Sequence, residues 1–224
     1  MTGAAAEARP ARAGPLIIGL TGPVAAGKTE VAQILCGLAN LGYLSLASYV
    51  REEARSRGLE PTREVLQEVG NQVRRDRGPG CFAARALEDI ALQPQLEGFV
   101  VDGLRHPEEA EVLRRGGRFR LLAVDAPVEV RFRRNVGRGY LRQAVRERFL
   151  EDDAREMGAG QPPWGMQVRH CMDLARPPFG LVIDNVGSLE ALGCKVRQAW
   201  EALRRAGAEE ESGAPAPNGP SLPG

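Results

Sequence analysis

The chain has 224 residues, of which 43% are hydrophobic and 26% are charged, a balance typical of one globular domain. Thirty basic and twenty-nine acidic residues leave a formal net charge of +1, which gives no electrostatic argument for a nucleic-acid or membrane partner, and we expect neither. The longest apolar runs, such as 16–20, are far shorter than the ~20 residues that span a bilayer.

Cysteine and histidine are sparse and form no metal-binding pattern. Four cysteines occur without a CxxC pair, and the two histidines do not complete a cluster at zinc spacing. Scattered, reduced thiols are typical of a cytoplasmic protein. We expect the chain to be a monomer or a weak dimer. Lysine is rarer still: only Lys28 and Lys195 are lysines among the thirty basic residues.

Composition marks the two ends of the chain. Residues 1–14 contain no aromatic side chain, and we expect them to be a disordered leader. Residues 207–224 hold four prolines and four glycines, which predicts a disordered tail. The segment 15–206 between them reads as one domain.

Within that domain, short apolar runs alternate with helical patterns. The runs predict strands at 15–20, 43–46, 98–102, 119–126 and 181–185. The helical patterns cover 28–40, 51–58, 62–76, 82–92, 107–115, 128–157 with a break near 137–139, and 188–207. Such alternation predicts a three-layer α/β/α fold around a five-stranded parallel sheet.

A phosphate-binding loop follows the first predicted strand and opens the first helix. The sequence GPVAAGKT matches the pattern G-x-x-x-x-G-K-[ST] and comprises Gly22, Pro23, Val24, Ala25, Ala26, Gly27, Lys28 and Thr29. The glycines allow the backbone amides to turn towards phosphate oxygens. Lys28 supplies a cation to the β- and γ-phosphates, and Thr29 offers a hydroxyl to magnesium. The motif therefore predicts binding of ATP and Mg²⁺.

Asp102 and Arg105 follow the third predicted strand, where an open α/β sheet binds its ligands. We expect Asp102 to reach the magnesium ion through water, and Arg105 to clamp a phosphate. A helix-capping Asp and a solvated Arg are the alternative. On the next helical pattern, Gln67 and Asn71 lie one turn apart and face either the acceptor or solvent.

Five segments in order resemble the nucleoside-monophosphate kinases, with adenylate kinase and dephospho-CoA kinase as the nearest types. The segments are GPVAAGKT, SLASYVREEA, VVDGLR, RFRRNVGR and DDAR. The resemblance covers roughly residues 16–206 and implies a P-loop NTPase fold of nucleotide-kinase type, with a helical lid at about 134–160.

The resemblance also implies roles for individual side chains. Arg51 and Arg105 would grip the acceptor phosphate, and Arg134 and Arg138 would belong to the lid over the donor. Arg155 would complete the positive charge around the transferred group. A solvated, charged helix is the alternative for the lid arginines. The segment LVIDNVGSLEAL resembles the end of dephospho-CoA kinase, where Asn185, Gly187 and Ser188 match the donor-adenine stretch.

The chain departs from the family at Ser48, where related kinases carry Asp. A hydroxyl acceptor benefits from a carboxylate that takes its proton, whereas a monophosphate does not need one. Ser48 therefore favours a nucleoside or deoxynucleoside monophosphate as acceptor, and the C-terminal resemblance favours dephospho-CoA. A P-loop ATPase that acts as a regulatory switch is an alternative of another class.

Overall fold

The computed structural model describes residues 14–137 and 146–212. Within these ranges the five strands are β1 (Leu16–Thr21), β2 (Leu41–Ser45), β3 (Gly98–Leu104), β4 (Arg118–Asp125) and β5 (Gly180–Asp184). The helices in the same ranges are α1 (Lys28–Leu38), α2 (Leu46–Ser56), α3 (Arg63–Arg77), α4 (Cys81–Ala91), α5 (Pro107–Arg115), α6 (Val128–Gly137), α7 (Arg146–Met157), α8 (Val168–Leu174) and α9 (Leu189–Ser212).

The strands form one parallel sheet in the order β2-β3-β1-β4-β5. β1 is central, and its first residue, Leu16, lies opposite Gly98 on one side and Arg118 on the other. After β1 the chain forms β2 and β3 on one side of that strand, and then crosses over to form β4 and β5 on the other side. Ligands of such sheets bind beyond the carboxyl ends of the strands, where the strand order reverses.

Helices cover both faces of the sheet, because successive side chains of a strand point to opposite faces. On one face, Ile17 and Val101 belong to a buried cluster with side chains of α2, α3, α4, α5 and α8. On the other face, Ile18 and Leu122 pack with side chains of α1 and α9. The predicted three-layer α/β/α fold with a five-stranded parallel sheet is thus confirmed. Among the described helices, none has the length and apolarity needed to cross a membrane.

Several element boundaries differ from those predicted from the sequence, and α8 lies outside the predicted helical patterns. α2 begins at Leu46 rather than at Arg51, since Leu46, Tyr49 and Val50 form a buried helical stripe that starts directly after β2. β3 runs on to Leu104, so Asp102 lies inside the strand. α9 continues to Ser212, within the predicted tail, because the segment AEEE after Gly207 consists of good helix formers.

Candidate active site

The phosphate loop (residues 22–29) connects β1 to α1 and has the backbone shape that its sequence predicts. Gly22 and Gly27 have φ values of +138° and +103°. A Cβ at Gly22 would overlap the carbonyl oxygen of Val124, and one at Gly27 would overlap the side-chain nitrogen of Asn185. Both positions therefore require glycine, and the amides before α1 form a concave anion-binding backbone at a helix N-terminus.

Lys28 folds back over the phosphate loop. Its Nζ donates hydrogen bonds to the carbonyl oxygens of Gly22 at 2.7 Å and Pro23 at 2.9 Å. Burial lowers the pKa of Lys28, while the carboxylates of Glu156 and Asp102 act in the opposite direction. The ammonium is therefore held at the loop next to two negative charges.

Asp102 and Thr29 are the residues expected to serve a magnesium ion. Asp102 is 9% exposed and accepts a hydrogen bond on Oδ2 from the Tyr43 hydroxyl at 3.0 Å. Its Oδ1 is buried and has no hydrogen-bond partner among the described residues. Thr29 is exposed on the first turn of α1. An unsatisfied carboxylate oxygen and an exposed hydroxyl are hard oxygen donors, and these two residues fit a magnesium ion that keeps several waters.

A cleft of about 840 Å³ opens beside the phosphate loop. Its walls bring together seven residues that the sequence analysis selected: Val24, Ala25, Lys28, Thr29, Arg51, Gln67 and Arg105. The lining also contains charged residues that the sequence analysis did not select: Arg63, Glu64, Arg74, Arg148, Asp152 and Glu156. The cleft is therefore a pocket of mixed charge rather than a purely basic one.

Arg51 and Gln67 face the cleft from two helices. Arg51 lies in the middle of α2, and its Nη1 donates to the Ser48 hydroxyl at 3.4 Å, one helical turn away. Gln67 lies on α3. Asn71, the next amide along α3, donates instead to Gln161 at 3.1 Å and does not line the cleft. Thr62 caps α3, since its hydroxyl accepts from the Val65 amide at 3.3 Å.

Arg105 follows β3 and is positioned by its own backbone and by α7. Its backbone amide donates to Glu109 Oε2 at 2.7 Å, which holds the start of α5 against the loop. Its Nη1 lies 2.9 Å from Oε1 of Glu156. The guanidinium therefore enters the cleft already paired with a carboxylate, an arrangement that no single sequence motif indicated.

Arg134 and Asn185 lie behind the phosphate loop and do not line the cleft. Asn185 is 5% exposed and donates through Nδ2 to the carbonyl oxygen of Ala26 at 2.7 Å. Arg134 donates to the carbonyl oxygen of Asn185 at 3.0 Å and to that of Ala26 at 3.4 Å. Both side chains thus hold the backbone of the loop in place.

The predicted lid (134–160) is described only in part. Arg138 lies outside the described residues. Arg155 is described, and it does not join the cleft: its side chain is exposed on α7. The reason is helical periodicity, because α7 turns Asp152, Asp153 and Glu156 inward and leaves Arg155 on the outer face. The segment DDAREM therefore contributes carboxylates to the interior, and Arg148 is the arginine of α7 that lines the cleft.

Glu156 is the main site feature that sequence reasoning missed. Burial by itself would raise the pKa of Glu156, but Arg105, Lys28, Arg63 and Arg131 outweigh it and hold the pKa below its usual value. The carboxylate is therefore ionised at neutral pH. The i, i+4 spacing of Asp152 and Glu156 could have indicated a shared helix face, but not the face that meets the cleft.

Comparison with known proteins identifies relatives along most of the chain. A family model described as AAA domain matches residues 18–156. A UPF0200 protein of Aeropyrum pernix is 35% identical over 187 residues, covering 82% of this chain and 91% of that protein. A UPF0200 protein of Methanothrix thermoacetophila is 36% identical over 198 residues, covering 84% of this chain and 98% of that protein.

Solved structures share the fold at low sequence identity. TT1252 from Thermus thermophilus has a TM-score of 0.54 and 22% identity, and the match covers 86% of this chain and 97% of that one. A gluconokinase from Sinorhizobium meliloti has a TM-score of 0.53 and 15% identity, covering 90% of this chain and 99% of that one. At such identities the likeness is one of fold alone.

Proposed function

Because the chain belongs to the UPF0200 family and is a P-loop kinase-like protein with an AAA domain, we propose that it is an ATP-dependent phosphotransferase. It moves the γ-phosphoryl group of Mg-ATP to a small nucleotide. Nucleoside or deoxynucleoside monophosphates and dephospho-CoA are the two candidate acceptor classes. The observation that carries this proposal is the single cleft shared by Lys28 of the phosphate loop and the acceptor-side residues Arg51, Gln67 and Arg105.

On the donor side, the residues of the phosphate loop bind and orient the triphosphate. Backbone amides before α1 surround its oxygens, and Lys28 exchanges its carbonyl partners for the β- and γ-phosphates. Thr29 and, through water, Asp102 would hold magnesium, which supplies charge neutralisation for the transferred group. Asn185 and Arg134 keep the loop in its binding shape through their contacts with Ala26.

On the acceptor side, the cleft positions a second molecule in line with the γ-phosphate. Phosphoryl transfer depends mostly on positioning and on neutralisation of developing charge, and Arg105 and Arg51 supply that charge from two different elements. Gln67 offers an amide to the acceptor from α3. The lid arginine Arg138 would complete the enclosure of the donor and help to exclude water.

A coupled assay for ADP release tests this function. Nucleoside monophosphates, deoxynucleoside monophosphates and dephospho-CoA are added singly to the full chain with Mg-ATP. We expect at least one acceptor to raise ADP release at least tenfold over the rate with ATP alone. A slow rate that no acceptor changes would support the ATPase switch and contradict the phosphotransferase.

Replacing the loop lysine tests the donor site. We expect Lys28→Ala to lower turnover at least 100-fold, because the cation that neutralises the β- and γ-phosphates is lost. Lys195→Ala is the matched control: Lys195 is the only other lysine, lies outside the cleft and donates to the Asp184 carbonyl oxygen at 2.6 Å. Equal turnover of wild type and Lys28→Ala would show that the loop does not hold the donor.

A further inference from the structure

Glu156 places a carboxylate in the acceptor half of the cleft. The residue is 2% exposed, lies in the last turn of α7 and lines the cleft together with Lys28 and Arg105. A buried ionised carboxylate is costly unless it is paired or used. The two carboxylate oxygens differ in whether a partner compensates for their removal from water.

One oxygen of Glu156 is anchored, and the other is buried at the wall of the cleft without a hydrogen-bond partner among the described residues. Oε1 lies 2.9 Å from Nη1 of Arg105, with which it forms an ion pair. Oε2 lies 3.7 Å from the Arg63 guanidinium and has no hydrogen-bond partner among the described residues. A carboxylate held by one oxygen, with acceptor capacity on the other, is arranged to receive a hydrogen bond from a ligand.

The remaining cations of the cleft are largely neutralised by carboxylates. Arg63 pairs with Asp152 at 3.8 Å as well as with Glu156, and Arg148 pairs with Glu64 at 3.3 Å. Within the described residues, Arg51 is an arginine of the cleft with no carboxylate partner. An acceptor phosphate at Arg105 would add its own negative charge to those of Glu156 and of the donor phosphates, and like charges in such a site repel strongly. A neutral reacting group avoids this repulsion.

We propose that Glu156 is the catalytic base of a phosphotransferase whose acceptor presents an alcohol to the cleft, next to a single anionic group held by Arg51. The inference rests on the proposed function and narrows its acceptor to the hydroxyl class. It also accounts for Ser48, since α7 supplies the carboxylate that the segment after β2 lacks.

The step balances with a nucleoside triphosphate as donor. The acceptor oxygen forms a bond to the γ-phosphorus while the bond from that phosphorus to the bridging oxygen breaks. The nucleoside diphosphate leaves with the electron pair of the broken bond. The hydroxyl proton passes to Oε2 of Glu156 and then to water, while Arg105 keeps Oε1 in place.

The charges that face Glu156 determine its pKa, and the proposed role as base links this pKa to the pH dependence of kcat. Arg105 from the loop after β3, Lys28 from α1, Arg63 from α3 and Arg131 from α6 lower its pKa, so the base is ionised at neutral pH. A bound triphosphate would offset the Lys28 charge and so act to raise the pKa of Glu156 from this lowered value. Turnover should therefore fall as the pH decreases through this pKa, which produces an acidic limb in the pH profile of kcat.

Product chemistry tests the acceptor class. Dephospho-CoA, nucleosides and nucleoside monophosphates are incubated singly with enzyme and Mg-ATP, and ³¹P NMR separates a new phosphomonoester from a new phosphoanhydride. We expect a phosphomonoester. A phosphoanhydride would overturn the alcohol acceptor while leaving the phosphotransferase intact, and hydrolysis that no acceptor changes would overturn both.

Substitution of Glu156 tests its role as base. We expect Glu156→Gln to lower kcat about 100-fold or more and to abolish the acidic limb, with an acceptor KM changed less than threefold. ATP binding measured by titration calorimetry should not weaken, because a negative charge near the phosphates is removed. A merely structural role would instead weaken ATP binding and leave the acidic limb in place, and that result would overturn the proposal.

Two further variants keep the test decisive. Asp152→Asn removes another buried carboxylate from the same face of α7, and we expect it to retain the acidic limb. Glu156→Asp keeps the carboxylate but shortens the side chain by one methylene, which moves the charge away from the acceptor. We expect kcat to fall about tenfold and the acidic limb of its pH profile to remain. If the Gln variant does not fold, an unchanged kcat in Glu156→Asp overturns the proposal.

Discussion

At the scale of single residues, the shape of the phosphate loop depends on a side chain from the other end of the chain. Asn185 follows β5, yet its Nδ2 donates to the carbonyl oxygen of Ala26, 159 positions earlier. The same nitrogen occupies the space that a Cβ on Gly27 would need. The loop and the residue after β5 are therefore matched to each other, which explains why Gly27 and an amide occur together.

We predict that Asn185→Ala weakens ATP binding about three- to tenfold, because the hydrogen bond that holds Ala26 contributes about 1 kcal/mol. The measurement is the Kd for ATP by titration calorimetry. Asn71→Ala is the matched control: Asn71 donates to Gln161 and lies outside the cleft, so its Kd should equal that of wild type. Equal Kd values for both variants and wild type would contradict the role of Asn185.

Single residues also show where a linear motif is ambiguous. DDAR resembles a lid segment whose arginine reaches the transferred group, but α7 turns Arg155 outward and brings Glu156 inward. A motif identifies residue types in order, whereas the rotation of a helix about its axis decides which of them meets the ligand. Asp153 is one of the inward residues that fix this rotation, since it pairs with Arg131 of α6 at 2.5 Å and 2.9 Å.

At the scale of elements, a buried ion pair joins the acceptor helix α3 to α5. Arg74 of α3 donates through Nε and Nη2 to Glu109 Oε1 at 3.2 Å and 3.1 Å. Glu109 is fully buried, and its Oε2 accepts from the backbone amides of Arg105 and His106. One carboxylate thus fixes the position of α3, of the loop that carries Arg105 and of the start of α5.

We predict that Glu109→Ala destabilises the protein by about 3–5 kcal/mol, because it leaves the Arg74 guanidinium buried and unpaired. Urea unfolding followed by circular dichroism measures the loss. Glu108→Ala, in the same turn but exposed, should cost less than about 1 kcal/mol. A similar loss of unfolding free energy in the two variants would show that the buried Arg74–Glu109 pair does not stabilise the fold more than an exposed residue does.

At the scale of the whole molecule, the proposed ligand site joins elements from both halves of the sheet. The phosphate loop lies between β1 and α1, Arg105 follows β3, and Asn185 follows β5. A ligand at the phosphate loop needs these elements in place, because Arg105 lines its cleft and Asn185 holds the loop, so it binds the folded chain and not the unfolded one. Its binding free energy is therefore added to the free energy of unfolding.

We predict that Mg-ATP at about 100 times its Kd stabilises the chain by about 2.7 kcal/mol. For a domain of this size that corresponds to a rise in Tm of about 5–10 °C, measured by differential scanning fluorimetry. Lys28→Ala should lose most of this rise, whereas Lys195→Ala should keep it. A rise of the same size in Lys28→Ala would place the nucleotide away from the phosphate loop.

The amino-acid sequence by itself determined the local features of this protein. Apolar runs and helical periodicity located all five strands and the covering helices other than α8, because these patterns depend on neighbours a few residues apart. The phosphate loop was predicted from its own eight residues, since the positive φ values at Gly22 and Gly27 are local requirements.

Only the tertiary structure decided which distant groups meet. The strand order places β3 and β4 beside β1, and this order brings Arg105 next to the phosphate loop. Packing of α7 pairs Arg105 with Glu156, and it turns Arg155 to the outside. These outcomes depend on side-chain contacts between elements that are far apart in the chain, and no local pattern of residues specifies such contacts.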